Sequence, residues 1–392
     1  MRTQVAIVGA GPAGLLLAHL LHRQGIDSVV LERQTRGHIE RRIRAGVLEH
    51  GTVELLRAVG LAGRLDRERM VHDGLELLFD RTGHRIDLTG LVGRQITIYG
   101  QHELVKDLVA ARLATGAPLL FSAPALDLSD LDTGQPVVRF RQDGRERELR
   151  ADVIAGCDGF HGVTRPAAGA GTYTHDYPHA WLGILAAAPP SSPELIYAYH
   201  PDGFALHSMR TPEITRLYLQ VAPDEDLELW PDERIWAELA RRLHRDEPAW
   251  SLTTGEVLEK GITAHRSVVT EPMQRGRLYL AGDAAHIVPA TGAKGLNLAV
   301  ADVVVLATAL SEWYATGATR LLDGYTDACL SRVWRVQQFS AWMTTMLHRS
   351  PDPFTQRLQL SQLRYLTSST AAATSFAENY AGLPLPRPTG WS

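Results

Sequence analysis

Three glycines near the start of the chain have the spacing of a dinucleotide-binding turn. Gly9, Gly11 and Gly14 follow the apolar run TQVAIV and open the helical pattern LLLAHLLHRQG, and a second apolar run, SVVL, ends in Glu32. In such a unit the glycines allow a tight turn, the close approach of a pyrophosphate and helix–strand packing, while the acid binds a ribose. A lone GxGxxG is weak evidence, but this complete order of elements predicts a dinucleotide site.

Two further apolar runs end in an aspartate followed by a turn. Asp158 follows ADVIAG within CDGFHGVTR, and Asp283 follows RLYLA within GDAAHIVPATGAKGLN. Asp283 could accept hydrogen bonds from a polyol chain, and a helix beginning near Gly292 would direct its N-terminal dipole toward a negatively charged ring oxygen. The glycine unit at the start of the chain fits either FAD or NAD(P). A single aspartate in a turn at a strand end is common in proteins and by itself does not indicate a cofactor site. The three elements together favour FAD.

The order of the strand and helix patterns that carry these residues predicts a mixed α/β fold with a Rossmann-like FAD-binding domain. We assign that domain to residues 1–175, with a return segment at 271–300. Residues 176–270 contain short β runs such as LIYAYH and RLYLQV and predict an antiparallel sheet that binds substrate. Residues 301–392 predict a helical C-terminal region with an interface role. Local patterns predict a helix around Val47–Val59 and a hairpin turn at Asp143-Gly144.

Composition excludes several classes of protein. The 392 residues are 45% hydrophobic and 21% charged, and the net charge of −4 provides no field that would attract nucleic acid. Two cysteines make neither a disulfide framework nor a CxxC pair nor a zinc-ligand set, so we expect no metal and a cytoplasmic location. No continuous apolar run reaches the roughly 20 residues of a membrane helix, and no signal peptide is expected.

The glycine unit with Glu32, CDGFHGVTR and GDAAHIVPATGAKGLN together resemble the single-component flavin-dependent aromatic hydroxylases. The segments ERRIRAGVLEHG, IYGQHELVKDL, LIYAYHPDGFALHSMR and AENYAGLP extend the resemblance over nearly the whole chain, toward members that act on 4-hydroxybenzoate. The resemblance implies hydroxylation to 3,4-dihydroxybenzoate by a homodimer, with tightly bound FAD, transient NAD(P)H, and O2 reacting as a flavin hydroperoxide.

The resemblance also implies a route for the phenolic proton. An electrophilic oxygen attacks a phenolate far better than a phenol, so the site must remove that proton. Tyr197 would contact the phenol, and Tyr380 and His72 would carry the proton to solvent. Without the resemblance, Tyr197 reads as an ordinary strand tyrosine and His72 as an ordinary surface histidine.

A benzoate carboxylate needs a planar, bidentate cation, which arginine supplies. The resemblance assigns this role to Arg210, with Ser208 and Tyr218 as hydrogen-bond donors and with Ala290 and Thr291 in the substrate wall. The best-known members have Pro-Pro where this chain has Pro289-Ala290, so the ring constraint is lost at a carbonyl that faces the substrate hydroxyl.

Matching the motifs assigns further residues to the two nucleotides. Lys294 would add positive potential near the flavin ring, or be an ordinary solvated charge. The FAD set is Gly9, Gly11, Gly14, Glu32, Arg42, Arg44, Gln101, Asp158, Arg216, Asp283, Gly295, Leu296 and Asn297. The NAD(P)H set is Arg33, His38, Arg42, His161 and Arg165.

The hydride donor remains open between NADH and NADPH. Arg33, Arg41 and Arg42 favour a 2′-phosphate and Glu40 opposes it, while His38 stands where NADPH-using relatives have a tyrosine. Two other functions also remain open. One is hydroxylation of a related ring such as 3-hydroxybenzoate or an aminobenzoate, and the other is a non-catalytic flavoprotein-fold protein that escorts lipidated partners.

Overall fold

The computed structural model describes residues 1–41 and 46–385. Its strands, in chain order, are β1 (Arg2–Val8), β2 (Ser28–Leu31), β3 (Val47–Leu48), β4 (Met70–His72), β5 (Gly74–Phe79), β6 (Thr82–Asp87), β7 (Ile96–Ile98), β8 (Leu119–Leu120), β9 (Ala125–Ser129), β10 (Val137–Gln142), β11 (Arg145–Gly156), β12 (Gly171–Ala187), β13 (Ile196–Ala198), β14 (Ala205–Thr211), β15 (Ile214–Val221), β16 (Glu256–Glu271), β17 (Gln274–Arg275), β18 (Leu278–Leu280) and β19 (His286–Ile287).

The α-helices lie between and after these strands. They are α1 (Pro12–Arg23), α2 (Arg36–Arg41), α3 (His50–Ala58), α4 (Leu65–Glu68), α5 (Leu88–Val92), α6 (Gln101–Ala114), α7 (Thr164–Ala168), α8 (Asp232–Arg242), α9 (Gly295–Thr316), α10 (Arg320–Asp323), α11 (Tyr325–Leu347), α12 (Pro353–Ser368) and α13 (Thr370–Ala381). Short 3-10 turns form at Leu227–Leu229, Gly282–Ala284 and Ala290–Gly292.

The first sheet is the predicted nucleotide-binding layer. β1 lies between β2 and β11 in parallel register, and β8 and β18 continue the parallel part on either side. α1 packs against α6 and α9, and the buried core includes β1 and these helices. The hairpin of β10 and β11 turns at Asp143 and Gly144, both with left-handed φ angles (51° and 74°), as the Asp-Gly pair predicts.

The second sheet has the order β19-β16-β12-β15-β14-β13-β5-β6. Side chains alternate between its faces, so Tyr197 and Leu206 point into a core shared with the C-terminal helices, whereas Ile196 and Ala205 point toward a core that contains α8 residues. β5 and β6 join this sheet from before residue 176, and β12 runs through the predicted boundary at 175/176. The predicted sheet therefore uses more of the chain than 176–270; the division into domains stays a prediction.

The predicted helix around Val47–Val59 is wrong at its first residues. Val47 and Leu48 form β3, which pairs antiparallel with β7, and α3 begins only at His50. Backbone pairing with β7 holds these two apolar residues in an extended conformation, and this pairing overrides the helical periodicity of their sequence.

One described helix, α9, is long and apolar enough to cross a membrane by length and composition. Its window has a mean hydropathy of 1.5, and 67% of it is buried inside the protein. It packs against α1, α10 and α11, so its apolar surface is the surface of a core helix.

We predict that Gly14→Ala destabilises the fold and that Gly11→Ala does not do so to the same degree. A Cβ at Gly14 would lie 2.0 Å from the Gly9 carbonyl oxygen, whereas at Gly11 nothing lies within 4 Å and φ is −74°. The overlap should lower the free energy of unfolding by about 1–3 kcal/mol, against less than about 1 kcal/mol at Gly11. Urea unfolding of the cofactor-free protein measures both, and equal losses would contradict the assigned contact.

Candidate active site

The glycine turn after β1 leaves open space at the N-terminus of α1. Gly9 has φ +104°, and a Cβ there would lie 2.3 Å from the Cys157 carbonyl oxygen. Gly14 touches the same turn, while the position above Gly11 is empty to 4 Å. The two crowded glycines bring the chain close together, and the open one leaves room for a pyrophosphate beside the free N–H groups of the helix. The turn fits FAD.

Two acids at strand ends are fixed by backbone hydrogen bonds. The Glu32 carboxylate accepts from the Ala10 and Gln34 N–H groups, each at 2.8 Å. The Asp158 carboxylate accepts from the Thr164 N–H at 3.1 Å and from its hydroxyl, and burial raises the pKa of Asp158. One groove in this region is lined by the predicted FAD residues Gly9, Glu32 and Asp158 and by two predicted NAD(P)H residues, Arg33 and His161. Its lining residues are Val8, Gly9, Leu31, Glu32, Arg33, Pro124, Ala125, Asp158, His161, Gly162 and Val163.

The second predicted cofactor element lies where the first sheet meets α9. Asp283 is exposed in the turn Gly282–Ala284. α9 begins at Gly295 rather than near Gly292, because Ala290–Gly292 form a 3-10 turn and Ala293 takes a left-handed φ of 54°. The N–H groups of its first turn, at Gly295 and Leu296, have no acceptor within the helix and can bind a ring oxygen.

Asn297 uses its side chain to hold a neighbouring segment. Its Oδ1 accepts from the Glu49 N–H and the Thr52 hydroxyl, both at 2.9 Å, and its Nδ2 donates to the Val47 carbonyl at 3.0 Å. Only its backbone therefore remains for the cofactor. Gln101 is the first residue of α6, and Arg42 and Arg44 lie outside the described residues.

Lys294 is not a solvated charge. Its Nζ is buried and donates to Glu49 Oε1 at 2.8 Å and to the Tyr380 carbonyl at 2.7 Å, and burial lowers the pKa of the amine. Glu49, which the sequence did not single out, balances the charge that we expected to act on the flavin.

Two buried tyrosines from distant parts of the chain meet at one side of the second sheet. The hydroxyls of Tyr197 (β13) and Tyr380 (α13) are 2.7 Å apart, and Tyr197 also donates to the Thr291 carbonyl at 3.2 Å. Burial raises the pKa of both tyrosines, so both remain protonated at neutral pH. These contacts unite three of the predicted site residues.

His72 is buried in β4 rather than on the surface. Burial lowers its pKa to about 4, so the ring is neutral at physiological pH. In the described part of the chain, neither ring nitrogen has a hydrogen-bond partner, so no direct bond joins His72 to Tyr197 or Tyr380.

Arg210 extends from β14 on the same face of the second sheet. Its Nη1 donates to Ser208 Oγ at 3.2 Å and to the Met209 carbonyl at 2.9 Å, and its Nη2 donates to the Tyr218 hydroxyl at 3.2 Å. Desolvation lowers the pKa of this partly buried guanidinium, and its buried Nε has no partner. Within residues 1–41 and 46–385, no carboxylate lies within 4.0 Å of it. The three predicted carboxylate-binding residues are thus together.

Arg216 lies beside this cluster, paired with Glu259 at 3.4 Å and positioned over the Tyr218 ring. Gly183 of β12 makes room for both side chains, since a Cβ there would lie 2.8 Å from Arg216 Nη2 and 3.3 Å from Tyr218. Gly183 was not among the predicted site residues, although a glycine inside a strand run is a signal for such a close approach.

Of the predicted NAD(P)H residues in the described part of the chain, Arg33 and His161 line the groove beside Glu32 and Asp158, whereas His38 does not. Arg33, His38 and His161 are exposed, and Arg165 stacks on Phe160 at 4.0 Å while donating to its carbonyl at 2.8 Å. Glu40 pairs with Arg36 at 2.7 Å. In the described parts of the chain, no cluster of His, Cys, Asp and Glu could hold a metal ion.

A nucleotide cradle at the end of a parallel sheet, next to a second sheet that carries an arginine and paired tyrosines, defines an FAD-dependent monooxygenase. A family model described as "FAD binding domain" matches residues 2–340. The p-hydroxybenzoate hydroxylase of Acinetobacter baylyi is 44% identical over 98% of this chain and 96% of its own length. The chain belongs to the FAD binding domain family, and it is a flavin-dependent aromatic monooxygenase of the p-hydroxybenzoate hydroxylase type.

Solved structures share the fold. The p-nitrophenol 4-monooxygenase from Pseudomonas putida superposes with a TM-score of 0.86 over 98% of this chain and 99% of its own, at 20% identity. An aklavinone-11 hydroxylase, solved with FAD and aklavinone, gives 0.73 over 88% of this chain and 69% of its own, at 25% identity. The prediction of FAD as the cofactor is confirmed.

Proposed function

We propose that this enzyme hydroxylates 4-hydroxybenzoate to 3,4-dihydroxybenzoate, using NAD(P)H and O2. The observation that carries the proposal is the pairing of two unlike groups on one face of the second sheet. Arg210 with Ser208 and Tyr218 can bind a carboxylate, and the Tyr197–Tyr380 pair can bind a phenol. A ring with both substituents uses both groups.

The arginine end supplies charge and orientation. The guanidinium is held by neutral partners only among the described residues, so a substrate carboxylate would provide its missing counter-charge. Two N–H groups in one plane fix the direction of a bound carboxylate, and hence the position of the ring.

The tyrosine end handles the phenolic proton. Tyr197 and Tyr380 form a protonated, water-excluding pair that can pass a proton from one hydroxyl to the next. His72 is the proposed last member of the route to solvent; no direct hydrogen bond joins it to the tyrosines, and with a pKa of about 4 it would pass the proton on rather than keep it. Removal of the proton makes the ring electron-rich where the new oxygen must enter.

The cofactor site fits this chemistry. Gly11 leaves room for the pyrophosphate, Glu32 would bind the ribose, and Asp283 with the first turn of α9 would hold the ribityl chain and the flavin ring. A flavin bound there would supply the redox chemistry, namely acceptance of hydride from NAD(P)H and activation of O2, of which one atom would enter the substrate ring and the other would leave as water. The protein residues bind, orient and deprotonate the substrate.

The named relative supports 4-hydroxybenzoate over its alternatives, because the p-hydroxybenzoate hydroxylase of A. baylyi is similar along nearly the whole chain. A panel of 4-hydroxybenzoate, 3-hydroxybenzoate and aminobenzoates, scored for both NAD(P)H oxidation and hydroxylated product, tests the choice. Product from 3-hydroxybenzoate alone would favour the related-ring alternative. A colourless protein that takes up no FAD would favour the escort function.

A homodimer in the cytoplasm belongs to the same proposal. Phe354, Leu358 and Tyr365 of α12 are large apolar side chains that are more than half exposed in the single chain, as an interface would require. Sedimentation at micromolar concentration would give the mass of two chains.

We predict that Arg210→Ala weakens 4-hydroxybenzoate binding by about 2–5 kcal/mol, because the substrate carboxylate would lose its charged partner. Titration of flavin fluorescence measures the dissociation constant. Arg139→Ala, which removes an exposed arginine from β10, is the matched control and should bind as the wild type does. Unchanged affinity in Arg210→Ala would remove Arg210 from the site.

We predict that Tyr197→Phe still oxidises NAD(P)H but yields little hydroxylated product, with O2 reduced to hydrogen peroxide instead. The reason is that a neutral phenol is a poor nucleophile. Tyr199→Phe is the control, since Tyr199 directly follows β13 and packs in the same core as Tyr197, but its hydroxyl bonds to Gln359 at 3.3 Å. Full coupling of NAD(P)H to product in Tyr197→Phe would rule out the assigned proton route.

We predict that both NADH and NADPH serve as donors and that NADH is at least comparable. Arg33 favours a 2′-phosphate and Glu40 opposes it, but Glu40 is paired with Arg36, so the net bias should be only about 1 kcal/mol. The measurement is kcat/KM for each donor at saturating 4-hydroxybenzoate and fixed ionic strength. A preference for NADPH above about tenfold would show that the arginines dominate.

A further inference from the structure

A buried group of aromatic and histidine side chains packs behind the arginine end of the pocket. The Trp181 ring lies 4.6 Å from the Tyr218 ring and 5.5 Å from Phe204, and Tyr218 in turn bonds to Arg210. His179 stacks on His348 at 4.0 Å, and His265 meets Trp181 edge-on at 4.6 Å. No role assigned so far explains these histidines.

His348 is the member of this group with two directional hydrogen bonds. Its Nδ1 lies 2.9 Å from the Thr344 carbonyl, and its Nε2 lies 2.6 Å from Trp181 Nε1. A carbonyl only accepts and an indole N–H only donates, so the imidazole carries its proton on Nδ1 and accepts at Nε2. Both partners require the same neutral tautomer, and Trp181 is thereby held in one orientation.

The same turn of α11 also contacts the tyrosine end. Thr344 lies four residues before His348, and its hydroxyl is hydrogen-bonded to the Thr291 hydroxyl at 2.9 Å. The Thr291 carbonyl accepts from Tyr197. One helical turn is thus connected through His348 and Trp181 to the carboxylate-binding cluster, and through Thr344 and Thr291 to the phenol-binding pair.

We propose that His348 is a positioning residue for the hydroxylation, which holds Trp181 against Tyr218 and, with Thr344, sets the spacing between the two ends of the substrate pocket. The inference rests on the proposed function, because it assumes that Arg210 and Tyr197 bind opposite ends of one substrate. Its consequence is that disturbing His348 misplaces the ring relative to the attacking oxygen, even though His348 touches no substrate.

The test compares His348→Phe with His265→Phe. Both remove a buried imidazole beside Trp181, but neither nitrogen of His265 has a partner among the described residues. We expect His348→Phe to keep FAD, to weaken 4-hydroxybenzoate binding by about five- to tenfold, and to lower the ratio of product to NAD(P)H consumed. His265→Phe should match the wild type in both. His348→Gln, which can still donate and accept, should recover part of the loss.

The outcomes separate the two hypotheses. Wild-type binding and coupling in His348→Phe, or equal losses in His265→Phe, would overturn the positioning role while leaving the proposed function intact. A wild type that neither binds nor hydroxylates 4-hydroxybenzoate would contradict the proposed function, and the panel ligand that is hydroxylated would then serve in the same comparison. If His348→Phe loses FAD, the variant Thr344→Val tests the positioning role instead. Valine keeps the side-chain shape and the backbone carbonyl that bonds to His348, but it removes the hydroxyl that bonds to Thr291. Unchanged coupling in Thr344→Val would refute the connection to Thr291.

Discussion

The partly buried guanidinium of Arg210, which has no carboxylate partner among the described residues, is the strongest electrostatic constraint on the proposed substrate site. A desolvated cation whose neighbours are a hydroxyl, a carbonyl and a phenol is less stable than one paired with a carboxylate, and the chain supplies no such pair among its described residues. An anionic ligand would relieve this cost, and in the proposed function the carboxylate of the substrate does so. The sheet makes the arrangement possible because β14 and β15 place Ser208, Arg210 and Tyr218 on one face. Gly183 of β12, which pairs with Tyr218, leaves space for the Tyr218 ring.

Two described cations near the proposed substrate site, Lys294 and Arg216, are paired with carboxylates, whereas Arg210 is not. Lys294 is paired with Glu49, and its second bond goes to the Tyr380 carbonyl, so the same ion pair fixes the backbone that presents the Tyr380 hydroxyl. A buried ion pair of this kind contributes little net stability. The hydrogen bond from Lys294 to the Tyr380 carbonyl links the residue before α9 to α13. In the proposed function, the phenol end is therefore neutral and held by hydrogen bonds, and the carboxylate end is cationic. A ring with one acidic hydroxyl and one carboxylate matches both.

The sequence predicts what depends on local patterns and misses what depends on distant contacts. The glycine turn, Glu32, the Asp-Gly hairpin and the helical C-terminal region are encoded within a few residues, and the structure has them where the patterns place them. The burial of His72, the partner of Lys294 and the two-residue strand β3 depend on pairing between segments far apart, which periodicity cannot reveal. The meeting of Tyr197 and Tyr380, 183 residues apart, was implied only by resemblance.

The departure at Ala290 is best understood through the contacts on either side of it. A proline ring at this position would restrict the unfolded chain, and its absence removes that entropic contribution without demanding a different folded shape. Here the 3-10 turn Ala290–Gly292 closes through the Ala293 N–H, which donates to the Ala290 carbonyl at 2.9 Å. Thr291 is then fixed twice, by Tyr197 at its carbonyl and by Thr344 at its hydroxyl. Hydrogen bonds to two other elements thus hold this turn, which is the proposed substrate wall, and they connect it to the end of α11, where His348 contacts Trp181.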